Sequence, residues 1–264
     1  MTRRFDGQVA LITGASSGIG RTVAVAFARE GARVVVTGRR AALLDETLAE
    51  VKAAGGEGVA VTGDVSSSTD VQRMVATCVQ TYGRLDCACN NAGIEGGKAF
   101  VPTADYDEAI WDEVLAINLT GVFLSMKYEI RQMLVQGGGA IVNMSSVAGL
   151  IGTRIGIGYG ASKHGVVGAT RAAAMEYAAQ NIRVNAVCPG VVRTEMTERA
   201  FFHDAELGKM MISRHPIGRL VTVDEVANAV LWLCSNDSTA TTGIAFPSMG
   251  VSRCPRDRSR EANA

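Results

Sequence analysis

Ser146, Tyr159 and Lys163 bring a hydroxyl, a phenol and an ammonium into one short stretch of a 264-residue chain. Gly158 to His164 opens an Ala-rich, helix-forming run that reaches about Asn181, so Tyr159 and Lys163 share a helix face. A free phenol, with a pKa of about 10, carries protons poorly at neutral pH, and a neighbouring ammonium is expected to lower that value. Tyr159 would then give a proton to a carbonyl oxygen or take one from an alcohol, while Ser146 polarises the same oxygen. Such a site needs no metal. A Tyr-x-x-x-Lys pair alone is most often a solvated helix face, so its meaning depends on the elements that position it.

Those elements follow an α/β alternation. Val9–Ile12, Arg33–Thr37, Val59–Thr62, Leu85–Ala88, Ala140–Met144 and Val184–Val187 are apolar runs without polar alternation, which predicts strands buried on both faces. Helical patterns lie between them: one through Val23, Phe27 and Ala28, then 41–54, 70–82 and a long helix from Tyr106 to about Gln136. Asp224–Cys234 is one more helix, capped by Thr222 with Glu225 at the capping-box position. The expected fold is a single, doubly wound Rossmann-type parallel sheet of strand order 3-2-1-4-5-6, with a seventh strand near Gly243–Pro247. One domain covers residues 1–251, and 252–264, rich in arginine and nearly free of apolar side chains, reads as a disordered tail. Ser146 then falls at the mouth of the fifth strand, where open parallel sheets bind ligands.

The turn after the first strand, Thr13–Gly20, contains Gly14, Ser16, Ser17, Gly18, Ile19 and Gly20 and leads into a helix, where backbone N–H groups can receive a pyrophosphate. Its spacing is GxxxGxG rather than GxGxxG, and a plain strand-to-helix turn would also need glycine. After the second strand, where an acid would hold the ribose hydroxyl of NAD, the chain has neutral Thr37 and Gly38 followed by Arg39 and Arg40. Guanidinium groups there suit the 2′-phosphate of NADP(H), which is favoured over NAD(H); the alternative is a solvated arginine pair. Asp64 after the third strand could accept from the adenine amino group, with Val65 as a backbone contact, although a loop Asp more commonly caps a turn.

Composition narrows the function classes. Lys plus Arg and Asp plus Glu are both 26, which argues against a nucleic-acid binder. Six scattered cysteines without a CxxC pair read as reduced core thiols of a cytoplasmic protein. The first residues lack the apolar core of a secretion signal, and no uninterrupted apolar span suggests a membrane. With only His164, His203 and His215, far apart, no metal site is expected. His164 would point about 100° away from Lys163 on the helix, which gives it a structural reading.

Thr13–Gly20, the Asn90-Asn91-Ala92-Gly93 stretch, Asn118, Ser146 with Tyr159 and Lys163, and Pro189-Gly190 with Thr194 together resemble the short-chain dehydrogenase/reductase family over about residues 5–250. The resemblance implies hydride transfer between a nicotinamide and a carbonyl or alcohol carbon. It implies Tyr159 as general acid/base, Lys163 as its activator and a ribose ligand, Ser146 as stabiliser of the substrate oxygen, and Asn118 as the backbone anchor of a relay water. Ser146 is preferred over Ser145 because its separation from Tyr159 matches the family. Asn91, Ala92, Gly93, Pro189, Gly190, Val192 and Thr194 become cofactor contacts, and Asn90 would hold the fourth-strand turn and line the cofactor site.

Residues 194–215 mix Met196, Phe201, Phe202, Met210, Met211 and Ile212 with charges, a mobile lid over a small carbonyl or alcohol substrate that has a hydrophobic or ring-like part. Glu95, Gly96 and Gly97 border the same pocket, and Glu95 is available to a polar substituent. Small residues Gly121, Gly165, Gly168 and Ala172 permit close helix approach, and the family implies a dimer or tetramer. Past Gly243 the chain departs from the family's usual ending. Two other classes compete: an idle nucleotide sensor or scaffold, which needs the glycine turn but not the proton relay, and attachment to RNA or another anionic surface through the arginine tail.

Overall fold

The strands are built from residues that have nowhere to go but inward. In the computed structural model, which describes residues 3–97, 100–202, 204–213 and 215–248, β1 (Val9–Ile12) is buried along its whole length. Ala10 and Ile12 enter one core with Phe27 and Leu231, while Val9 and Leu11 enter another with Met74 and Met133. Successive side chains of a strand point to opposite faces, so a continuous apolar run demands helices on both sides. Each fully buried Ile, Leu or Phe contributes roughly 1.5–3 kcal/mol, and the two cores hold the sheet between them.

The remaining elements follow in order: α1 (Gly18–Arg29), β2 (Arg33–Gly38), α2 (Ala41–Ala53), β3 (Glu57–Thr62), α3 (Ser68–Tyr82) and β4 (Cys87–Asn90). Then come α4 (Glu108–Leu115), α5 (Gly121–Gln136), β5 (Gly139–Met144), α6 (Ile157–Tyr177), β6 (Ile182–Pro189), α7 (Glu195–Thr197), α8 (Ala205–Ser213), α9 (Val223–Cys234) and β7 (Ala245–Ser248). All neighbouring strands are parallel, in the order β3-β2-β1-β4-β5-β6-β7. The expected order and the seventh strand are both present. The order reverses between β1 and β4, which makes the crevice above them the ligand site of a doubly wound sheet.

Two expected boundaries moved. The fourth strand begins at Cys87 rather than Leu85, because the Leu85 backbone is held by the Gln136 side chain, its N–H donating at 3.0 Å and its carbonyl accepting at 2.6 Å. The long helix starts at Glu108, where Asp107 accepts from the Ala109 N–H at 2.7 Å, and a π-turn over Ala116–Thr120 interrupts it. Such one-residue expansions concentrate at functional sites, and this one carries Asn118. The α9 capping box forms as expected, with Thr222 and Glu225 bonding each other's backbone N–H. The five described cysteines are free and buried. The arginine-rich segment 252–264 and His203 lie outside the described residues.

Candidate active site

The crevice between β1 and β4 is fixed by its own backbone. Thr13 Oγ1 accepts from the N–H groups of Asn91 (3.0 Å) and Ala92 (3.1 Å), and Asn91 Nδ2 donates to the carbonyls of Thr13 and Gly14, both at 3.1 Å. A Cβ on Gly14, whose φ is +64°, would stand 2.7 Å from Ala92 Cα, and one on Gly20 would run into the Gly14 carbonyl. These two glycines therefore close the turn, Gly20 from beneath it. The groove above, about 360 Å³, is walled by Gly14, Ser16, Ser17, Gly18 and Ile19 on one side and Asn91, Ala92 and Gly93 on the other. Arg39, Arg40, Asp64, Val65 and Thr194 line it too.

Ser17 is the N-cap of α1, yet its side chain caps nothing and the first turn has no acid, so the helix N-terminus faces the groove open. Arg40 Nη2 donates to Ser16 Oγ at 2.9 Å and to Ser17 Oγ at 3.0 Å, placing a guanidinium over the turn. An open helix end, a glycine cradle and a fixed cation together fit a dinucleotide diphosphate. Asp64 Oδ1 accepts from the N–H and hydroxyl of Ser66 (2.8 and 2.7 Å), the turn-capping role, while Oδ2 lies 3.8 Å from Arg39. The Val192 side chain is buried in the core and its carbonyl accepts from Thr197 Oγ1, and Val192 is not among the residues lining the groove.

Asn90 does not line the groove. Its amide points behind the strand, donating to Glu129 Oε2 and to Asn143 Oδ1, both at 3.0 Å, because the alternating strand direction sends Asn90 and Asn91 opposite ways. The groove also takes in Gly63 and Ile117, which sequence reasoning passed over; Gly63 follows β3 as Gly38 ends β2, a level shared only once the strands are registered.

Ser146, Tyr159, Lys163 and Asn118 meet at the C-terminal ends of β4 and β5. Ser145 and Ser146 differ in duty. Ser145 Oγ donates to the Lys163 carbonyl at 2.9 Å, whereas Ser146 Oγ accepts from the Ala148 N–H at 3.1 Å and stands near enough to Tyr159 to pull its phenol pKa down. Asn118 is fully buried; its side chain clamps Ile94, Oδ1 accepting from the N–H and Nδ2 donating to the carbonyl, both at 2.8 Å. Nδ2 also reaches Ser162 Oγ at 3.2 Å, a contact invisible in sequence spacing. A Cβ on Gly93 would lie 3.2 Å from Asn118 Oδ1 and 3.5 Å from Lys163 Nζ, so the missing side chain leaves the approach to both open. His164 Nδ1 pairs with the Gly160 carbonyl on the exposed face, outside this cluster.

The expected drop in the Tyr159 pKa is absent. Burial pushes the phenol above its ordinary value, the Ser146 hydrogen bond pulls it back, and the charge of Glu95 raises it further. Lys163 does not offset that rise: its ammonium donates to the Met144 carbonyl at 2.9 Å and lies 5.6 Å from the centre of the Tyr159 ring. Burial lowers Lys163 itself to about 8. The phenol is thus protonated at neutral pH, a proton donor held beside a serine.

Of the expected lid, Thr194, Glu195, Met196 and Arg199 line the groove. Arg40 lies 3.8 Å from Glu195 and Arg199 lies 3.8 Å from Glu95, one pair toward each end. The buried His215 ties the segment down, Nε2 accepting from the Val191 N–H and Nδ1 donating to the Met211 carbonyl, both at 2.9 Å. Phe201 is buried with its ring centre 6.2 Å from that of Phe100.

Residues 14–248 match the family model described as enoyl-(acyl carrier protein) reductase. The chain is 43% identical over 246 residues to cyclohexanol dehydrogenase of Acinetobacter sp. (strain SE19), covering 93% of this chain and 95% of that one. Levodione reductase superposes with a TM-score of 0.91 at 37% identity, over 94% of this chain and 98% of its own. An actinorhodin polyketide ketoreductase variant with NADPH (TM-score 0.89, 39% identity, 96% and 100% covered) and NAD+-bound xylitol dehydrogenase (0.88, 34%, 94% and 99%) are similar too.

Proposed function

Because the chain belongs to the short-chain dehydrogenase/reductase family, we propose that it interconverts a ketone or aldehyde and an alcohol with Tyr159 as proton carrier and NADP(H) as preferred cofactor. The bound nicotinamide supplies or accepts hydride. Tyr159 gives its proton to the carbonyl oxygen in reduction and recovers it in oxidation, and Ser146 holds that oxygen by a hydrogen bond. Lys163, within reach of the groove past Gly93, supplies positive charge next to the phenolate formed in turnover. The observation that carries this reading is the convergence of Ser146, Tyr159, Lys163 and Asn118 beside the open end of α1. An idle sensor would need only that helix end, and nothing favours it.

Support for NADP(H) comes from Arg39 and Arg40 beside the uncharged Gly38. Buried free thiols suit the reducing cytoplasm. Exposed Phe123 on α5 and Met175 on α6 suit a symmetric oligomer, a dimer or a homotetramer. The small residues named for close approach contribute little to such a surface: Gly121 faces Val65 and Gly165 faces Leu119 inside the chain, whereas Gly168 and exposed Ala172 remain open.

Nicotinamide absorbance with a panel of ketones and alcohols tests the reading, alongside NADPH and NADH affinities from fluorescence. Tyr159→Phe is expected to lower turnover by about 10²–10⁴-fold while cofactor affinity stays near wild type. Full activity in that variant refutes the assignment, and tighter NADH than NADPH binding refutes the cofactor preference.

A further inference from the structure

Glu95 is a carboxylate that accepts no hydrogen bond from any described residue, in a place built to hold it still. The residue before it, Ile94, is clamped at both N–H and carbonyl by Asn118. The residue after it, Gly96, has φ +85°, and a Cβ there would stand 2.6 Å from Val114 Cγ2 and 3.0 Å from the Tyr106 hydroxyl. Between those fixed points the Glu95 side chain is only 18% exposed and lines the groove. No described residue donates a hydrogen bond to it; its charged neighbour, Arg199, stands 3.8 Å away, and that guanidinium is 71% exposed. A carboxylate held in place by its fixed neighbours is a preorganised acceptor, which binds a matching donor without further ordering.

Resting on the oxidoreductase reading, we infer that Glu95 is a substrate-specificity residue whose carboxylate accepts a hydrogen bond from a hydroxyl that the substrate carries besides its reacting oxygen. Arg199 balances the charge, so the matching group is a neutral donor rather than an ammonium, and a substrate carboxylate would be repelled by Glu95. Ile94, Ile117 and Met196, which line the same groove, supply apolar surface for the rest of the molecule. The substrate class is a hydroxylated ketone, or the corresponding diol, on an apolar skeleton.

The test compares wild type, Glu95→Gln and Glu95→Leu on the parent ketone that wild type reduces best, cyclohexanone being tried first, and on its monohydroxylated derivatives. Wild type should favour one hydroxylated isomer by about tenfold or more in kcat/KM, and Glu95→Leu should bring that ratio close to one, with Glu95→Gln between them. The ratio cancels the effect of the lost charge on Tyr159, which acts on both substrates alike. Calorimetric titration of the ketones into protein saturated with oxidised cofactor, in which the keto group cannot be reduced and unchanged nicotinamide absorbance shows that the added hydroxyl is not oxidised, should show the same loss of preference. Turnover with no preference for any hydroxylated isomer, or a preference that survives in Glu95→Leu, overturns the role of Glu95 alone. Absence of turnover and of ketone binding throughout the panel overturns the oxidoreductase reading and this inference with it.

Discussion

Lys163 on α6 and Glu129 on α5 are both buried ionisable side chains near the same strand ends, and burial disfavours the charge of each. It lowers the ammonium to about 8 and raises the carboxyl to about 7. Their surroundings then separate them. Lys163 faces the groove across the space left by Gly93, whereas Glu129 is sealed behind Asn90, receiving one hydrogen bond on Oε2 while Oε1 and the Asn90 Oδ1 have no partner. A proton on Glu129 provides the donor that those oxygens lack. The same desolvation tunes one group toward a ligand and makes the other a carrier of a structural proton; access to the groove is what divides them.

The largest expected break in this comparison is Lys163→Met. Turnover should fall about 10²–10⁴-fold. Because the folded pKa lies below the unfolded one, the buried ammonium destabilises the chain below pH 8 and the penalty is relieved between about 8 and 10.5. The variant should therefore gain roughly 1–3 kcal/mol at pH 7, measured by urea unfolding. A loss of stability at that pH contradicts the account.

Glu129→Gln works on the other side. With its folded pKa raised from 4.5 to about 7, Glu129 holds a proton in the folded chain that the unfolded chain releases. Stability is full below 4.5, declines as pH rises to about 7 and is level above; the decline amounts to roughly 1–3 kcal/mol. Glutamine should flatten that slope and leave turnover close to wild type, because Glu129 is sealed behind Asn90 and away from the groove. An unchanged slope between pH 5 and 8 assigns it to other groups.

Gly93→Ala is the smallest and sharpest change. Its Cβ would press on Asn118 Oδ1 and Lys163 Nζ, and a shift of a few tenths of an ångström should reduce turnover roughly threefold to tenfold without altering the unfolding midpoint. Unchanged turnover places the approach to Lys163 elsewhere.

The frame was readable from Val9–Ile12, Arg33–Thr37 and Ala140–Met144 because buried parallel strands write themselves as apolar runs, and the glycine turn from the residues that a close approach requires. The roles of Asn90, Leu85 and Lys163 were not. Asn90 turns away from the groove because its amide is claimed by Glu129 and Asn143, both distant in sequence. Leu85 is claimed by Gln136, far along the chain. Lys163 donates to a strand carbonyl nineteen residues before it. Each depends on a partner set by the assembled tertiary structure, which local pattern does not contain. The Arg40–Glu195 and Arg199–Glu95 pairs are of the same kind.

The π-turn at Ala116–Thr120 amounts to one extra residue wound into a helix that would otherwise run straight from Glu108 to Gln136. Each residue turns an α-helix by about 100°, so the two halves present different faces: α4 packs on α6 and α5 packs on α3. Deleting a single residue within this turn would re-phase everything downstream and withdraw Asn118 from Ile94. The chain should accordingly tolerate insertions at its exposed loops far better than any change of length here, where the number of residues, and not merely their identity, sets the active site.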